Sequence, residues 1–124
     1  MAGQKNILYV QTSGVDTPQR LYSPLILAQT ARAMGVEATV YFLGLGLTVL
    51  VKGEAEKVKI GEFPTVKEVL QQTAAQGVKI MVCQQSMMLF GGEIKPEDLI
   101  AEAVIAGAAT LNDLALDADA VLMF

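Results

Sequence analysis

The chain has no histidine and only one cysteine, Cys83. Without histidine, no Ser-His-Asp triad, Cys-His pair or histidine-ligated metal centre can form within one chain. A single cysteine excludes an intrachain disulfide, and it excludes a thiolate-only zinc or iron–sulfur site built from one chain. Positive charge is scarce too. Nine Lys and Arg stand against 13 Asp and Glu, a formal net charge of −4, which argues against a protein that grips a phosphate backbone, so no nucleic-acid partner is expected. The longest mostly apolar run, Val40 to Val51, is interrupted by Gly44, Gly46 and Thr48. It is far shorter than the ~20 residues a membrane-spanning helix needs. Met1 to Lys5 shows no basic stretch followed by a long apolar one, so no export signal is read there. A lone thiol without such a signal fits a reducing cytoplasm.

Apolar residues make up 52% of 124 residues and charged ones 18%. That is the composition of one globular domain, expected to span residues 1–124, with enough chain for one real core. Mean hydropathy is +0.44, high for a small monomer. Excess apolar surface of this kind is usually covered by another subunit, so a homo-oligomer is expected, with the run Val40 to Val51 read as surface packed against a neighbouring chain.

Short apolar runs rich in β-branched and aromatic residues predict strands at Asn6 to Gln11, Val36 to Leu43, Val78 to Cys83, Val104 to Ala106 and Ala120 to Phe124. Helices are expected between them. The first ends at Met34, stopped by Gly35, and Pro24 either kinks it or starts it with Ser23 as cap. Thr65 and Glu68 form the spacing of a capping box that opens a helix from Val66 to Gln76. Pro96 suits the first position of a helix over Glu97 to Glu102. Thr110 to Asp113 reads as the cap of a helix running to Leu116. The segment Gly44 to Lys52 suits either a strand or a short helix over the sheet edge. Apolar strands alternating with helices mean an α/β fold: a three-layer α/β/α sandwich around a mainly parallel sheet of about five strands. Ligands of such sheets bind at the carboxyl ends of the strands.

Cys83 is the one side chain with strong nucleophilic potential, and it falls at the carboxyl end of the third strand. A helical turn over Ser86 to Phe90 would aim backbone N–H groups at the sulfur and favour the thiolate. Met81, Met87, Met88, Leu89 and Phe90 read first as ordinary core or subunit interface; in the functional reading they form an apolar wall around the sulfur, which opposes that effect. Gln84, Gln85 and Ser86 are candidate hydrogen-bonding residues around the sulfur, and Thr12 and Ser13, at the end of the first strand, are candidates for the same crevice. Lys52 and Lys95 are the nearest cations in sequence logic, but neither is assigned a role. Gly44 and Gly46 begin like a dinucleotide loop, but Val49 stands where its third glycine belongs, so nucleotide binding is not expected. Asp113, Asp117 and Asp119 are read as solvating a helix end. No metal and no cofactor are expected.

The string Val82-Cys83-Gln84-Gln85-Ser86-Met87, followed by Phe90-Gly91, resembles the cysteine segment of the DsrE/DsrF-like family. So does the stretch Ala106-Gly107-Ala108-Ala109-Thr110-Leu111-Asn112-Asp113-Leu114-Ala115. The resemblance implies a small α/β sandwich that assembles into trimers or hexamers. It also implies, for relay members, a cysteine that carries sulfane sulfur as a persulfide between a donor and an acceptor protein. Cys83 matches that cysteine. Gln84-Gln85-Ser86 departs from the small residues that follow it in relay subunits. The expected function is therefore a persulfide carrier on Cys83. The alternative is an oligomeric scaffold or small-ligand binder with an inert, buried Cys83. A peroxide-reducing thiol is a third reading, which would need a resolving thiol from elsewhere.

Overall fold

A computed structural model describes residues 4–124. The first three residues, part of the segment read for an export signal, lie outside the described residues. Five strands, β1 (Asn6–Gln11), β2 (Glu37–Phe42), β3 (Lys79–Cys83), β4 (Ala103–Ala106) and β5 (Ala120–Met123), form one sheet in the order β4-β3-β2-β1-β5. Every pairing is parallel. Parallel strands are joined by crossovers that cover both faces, which is why the central strands are apolar on consecutive residues: Leu8, Tyr9 and Val10 of β1 and Val40, Tyr41 and Phe42 of β2 are all buried.

The helices are α1 (Tyr22–Ala33), α2 (Val66–Ala75), α3 (Gln84–Met87) and α4 (Ala108–Asp117). The chain steps from β1 to β4 one strand at a time, then returns through α4 to β5 on the opposite edge. Right-handed crossovers put helices of opposite travel on opposite faces. Leu25 and Ala28 of α1 and Val69 and Leu70 of α2 accordingly pack with Tyr9, Val40, Phe42, Ile80 and Val82. Leu111 and Leu114 of α4 pack on the other face, against Leu8, Val10, Tyr41 and Cys83. The result is the three-layer α/β/α sandwich around a parallel five-stranded sheet.

Local details differ from expectation in five places. First, α1 begins at Tyr22 with Leu21 as its cap, after a 3-10 turn at Pro18–Arg20. Pro24 therefore sits in the first turn, where a missing N–H costs no intrahelical bond. Second, the helix expected over Glu97 to Glu102 is only a 3-10 turn, Pro96–Asp98. Leu99 instead bridges Val51, and the Ile100 amide donates to the Leu50 carbonyl at 2.9 Å. A tertiary pairing outcompetes a short helix there. Third, α4 begins at Ala108 with Gly107 as cap, two residues before Thr110. Fourth, half of the capping box at α2 forms: the Glu68 amide donates to Thr65 Oγ1 at 3.2 Å. Fifth, the stretch Gly44–Leu50 is a 3-10 helix whose Leu47, Val49 and Leu50 are buried in the chain's own core. Most of Val40 to Val51 thus packs into its own chain instead of forming a surface, with Leu45 its exposed apolar side chain.

That 3-10 segment is locked to the end of β1 by two glycines. A Cβ on Gly46 would run into the Gln11 carbonyl oxygen, and one on Gly14 into the Leu45 carbonyl oxygen and Thr48 Oγ1. Thr48 Oγ1 also accepts from the Val15 amide at 3.0 Å. Backbone meets backbone here, so neither side can yield cheaply. Gly46→Ala is expected to lower unfolding free energy by about 2–3 kcal/mol, within the range for overpacking. Gly107→Ala, where the added methyl meets nothing within 4 Å, should lower it by only about 0.5–1 kcal/mol, the cost of a poorer helix cap. Denaturant unfolding of the two variants beside the parent checks this contrast.

Candidate functional site at the end of β3

Cys83 is the last residue of β3 and the residue before α3. It is 3% exposed. Leu8, Val10 and Tyr41 bury it, and Leu43, Met81, Ala106, Leu111, Leu114 and Ala118 pack around that cluster. Strand alternation explains the set: Cys83 and Met81 share a face of β3 with Tyr41 of β2 and Ala106 of β4. Of the five apolar residues around Cys83 in sequence, only Met81 walls the sulfur, and the ordinary-core reading holds for two others. Met87 and Phe90 pack into the core on the opposite face. Met88 and Leu89 are exposed.

The helical turn after Cys83 starts at Gln84, and the sulfur takes no capping hydrogen bond from it. The expectation that backbone N–H groups would point at the sulfur is therefore not met; the sulfur's polar neighbours are side chains. The thiol donates to Gln85 Oε1 at 3.3 Å. Gln85 is itself exposed, so one surface side chain stands between the sulfur and water on that side. Ser86 is buried, and its Oγ accepts from the Gly44 amide at 2.7 Å. This bond fastens α3 to the 3-10 segment after β2. Gln84 turns away to line an apolar cleft of about 320 Å³ with Met87, Met88, Ile94 and Ile105. Ile105 lies on the face of β4 opposite Ala106, so this cleft does not open onto the sulfur.

Thr12 and Ser13 are not brought to Cys83. The Thr12 hydroxyl donates to the Phe124 carbonyl at 2.7 Å, beyond β5, and the Ser13 amide donates to Gln11 Oε1 at 3.1 Å. The end of β2 and the 3-10 segment stand between them and β3. Lys52 Nζ is held on the Glu97 carbonyl at 2.8 Å. Among the described residues no three Asp, Glu or Cys side chains gather as metal ligands. No helix among them is long and apolar enough to cross a membrane.

Tyr41 is the functional neighbour that sequence reading missed. It is fully buried, and its hydroxyl donates to the Gly107 carbonyl at 2.8 Å, with the Ala106 carbonyl at 3.3 Å. Its pKa is pushed up to about 12, first by burial, then by the negative charge that Cys83 can carry and by hydrogen bonding with it. The available signal was its position on a strand; only the strand order makes it a neighbour of the sulfur.

The fold and this site define a class: a doubly wound α/β domain that buries one thiol at the carboxyl end of a central strand. The sequence matches the DsrE/DsrF-like family over residues 5–124, and the chain belongs to that family. It is similar to the uncharacterized protein MJ0760 of Methanocaldococcus jannaschii, 29% identical over 104 residues. That match takes in 84% of this chain and 37% of the relative, so the chain spans well under half of that protein's length. Among solved structures it resembles the YchN protein of E. coli (TM-score 0.76, 23% identity, 98% of this chain and 100% of that one). It also resembles MTH1491 of Methanobacterium thermoautotrophicum, a protein of unknown function (TM-score 0.68, 15% identity, 98% and 100% covered). These likenesses establish the shared fold. Family membership suggests a sulfur-relay-related role.

Two outcomes follow from this geometry. Gln85→Ala removes the cap over the sulfur and one hydrogen bond worth about 1 kcal/mol. Iodoacetamide should then alkylate native Cys83 roughly five-fold faster, read by intact mass against time. The second concerns pH. A tyrosine whose folded pKa is raised to about 12 contributes stability that is complete below the unfolded pKa of about 10 and lost as pH rises toward 12. Between those limits the parent should lose on the order of 2 kcal/mol more than Tyr41→Phe, measured by denaturant unfolding at each pH.

Proposed function

We propose that the chain is a sulfur-relay protein that accepts sulfane sulfur on Cys83 and passes it on. The Cys83 thiolate attacks the outer sulfur of a donor persulfide. The donor's S–S bond breaks, its thiolate leaves, and a new S–S bond forms at Cys83. The proton given up by Cys83 ends on the departing thiolate through water, and no oxidant or reductant is consumed. An acceptor thiolate repeats the exchange in the other direction. The observation that carries this reading is the contact between the sulfur and the tip of exposed Gln85. Rotation of one side chain opens the sulfur to a visiting thiol, while the apolar cluster around it keeps water from a loaded persulfide.

Cys83 is the reacting residue in this reading. Gln85 gates it, Ser86 holds α3 in place, and Gln84 faces a docking partner beside the site. Thr12 and Ser13 serve the far end of the sheet. Donor and acceptor are proteins or small thiols, and the compartment is the cytoplasm. The chain works as a homo-oligomer, trimeric or hexameric. Val104 of β4 and Val121 and Met123 of β5 support this, because they flank α4 on its own face of the sheet and stay exposed.

The low exposure of Cys83 favours a second reading, an assembly subunit with an inert thiol. Incubation with a persulfide donor followed by intact mass separates the two. The relay reading expects a gain of one sulfur atom, removed by an added thiol and absent in Cys83→Ser. No gain, together with no alkylation of the native protein, leaves the assembly role alone.

A further inference from the structure

Tyr41 starts on β2 and ends on β4. Its hydroxyl meets the carbonyls of Gly107 and Ala106, at the end of the strand on the far side of β3. On β3 the residue paired with Tyr41 is Met81, and the residue paired with Ala106 is Cys83. The phenol therefore climbs from the level of Met81 to that of Cys83 as it crosses, on the face those two side chains share. Tyr41 and Cys83 belong to one buried cluster, and Cys83 takes part, after burial, in raising the tyrosine's pKa.

The rest of the surroundings offers an anion little. Leu8 and Val10 of β1, Leu43 after β2, Ala106 of β4, and Leu111 and Leu114 of α4 are apolar. The residues of α3 carry no charge. Asp113 and Asp117 of α4 are exposed, and Lys79 is exposed at the opposite end of β3. Gln85 presents an oxygen, which suits a thiol and repels a thiolate. An ionised sulfur in this place needs a donor, and the hydroxyl proton of Tyr41 can swing about the Cζ–Oη bond with no movement of heavy atoms.

We infer that Tyr41 is the hydrogen-bond donor for the sulfur anion: its O–H leaves the Gly107 carbonyl and turns to Cys83 Sγ, or to the outer sulfur of a persulfide, whenever that sulfur ionises. The inference deepens the relay reading and rests on it for its purpose. Its test, however, needs no persulfide.

The experiment measures the alkylation rate of Cys83 with uncharged iodoacetamide across neutral to alkaline pH, in the parent, Tyr41→Phe and Leu111→Ala. Tyr41→Phe keeps the ring and loses the donor. The pH of half-maximal rate should move up by about one unit, the worth of one hydrogen bond to a charged group. Leu111→Ala loosens the α4 cover without touching the hydroxyl, so it should raise the rate at every pH and not move that midpoint upward, because water reaching the sulfur favours the thiolate. If Tyr41→Phe instead behaves like Leu111→Ala, the tyrosine only anchors α4 and the proposal fails. Should Tyr41→Phe not fold, replacement of all three tyrosines by 3-fluorotyrosine, a stronger donor of nearly the same shape, should move the midpoint down; an unmoved midpoint overturns the proposal. A parent that takes up sulfur while Tyr41→Phe keeps its midpoint removes Tyr41 and leaves the relay reading. A shifted midpoint in a protein that never takes up sulfur does the reverse.

Discussion

The lateral register of three parallel strands governs what this molecule can do. β2, β3 and β4 are paired so that Tyr41 meets Met81 and Cys83 meets Ala106. Backbone hydrogen bonds fix that alignment, and a slip of one residue would turn Cys83 to the other face. Everything near the sulfur follows from it. Tyr41 crosses to Gly107, Gly107 caps α4, and α4 lays Leu111 and Leu114 over the thiol. The single connection that runs from one edge of the sheet to the other therefore both closes the fold and roofs the site.

The site is organised by neutral groups. A carboxamide is the hydrogen-bond partner of the sulfur, Tyr41 shares its buried cluster, and the apolar remainder excludes water. Such surroundings suit a group that changes its protonation state while passing a neutral sulfur atom, because no fixed cation holds the anion in a deep well. They also distinguish this chain from thiol sites built on an imidazole partner, which a chain with no histidine cannot make. Gln85 and Ser86, which depart from the small residues of relay subunits, have separate structural work: one covers the sulfur, and the other ties α3 to the 3-10 segment.

Much of the fold was legible in the order of residues, because strands buried on both faces must be apolar on consecutive positions. β1 matches its expected bounds, and β2 through β5 fall within theirs apart from Ala103. Two of the misses share one cause. Leu47, Val49 and Leu50 read as surface for a neighbour, yet they fill this chain's own core. The stretch after Pro96 read as a helix, yet Leu99 pairs with Val51. In both, contacts with residues distant in sequence overrode local preference, and local pattern carries no record of such partners.

The sequence by itself determined that one thiol must carry any sulfur chemistry, that no histidine assists it, and that it stands at the end of a strand in a parallel α/β sheet. Composition and periodicity are properties of neighbouring residues, and they suffice for those statements. Tertiary structure decided which side chains meet the sulfur. It brought Tyr41 from the neighbouring strand in the finished register, set Gln85 against the sulfur, and sent Thr12 and Ser13 to the β5 side. Tyr41 meets the sulfur's strand because β2 pairs with β3, and Thr12 meets Phe124 because the crossover from β4 carries β5 to the far edge beside β1; no local stretch of residues encodes either pairing.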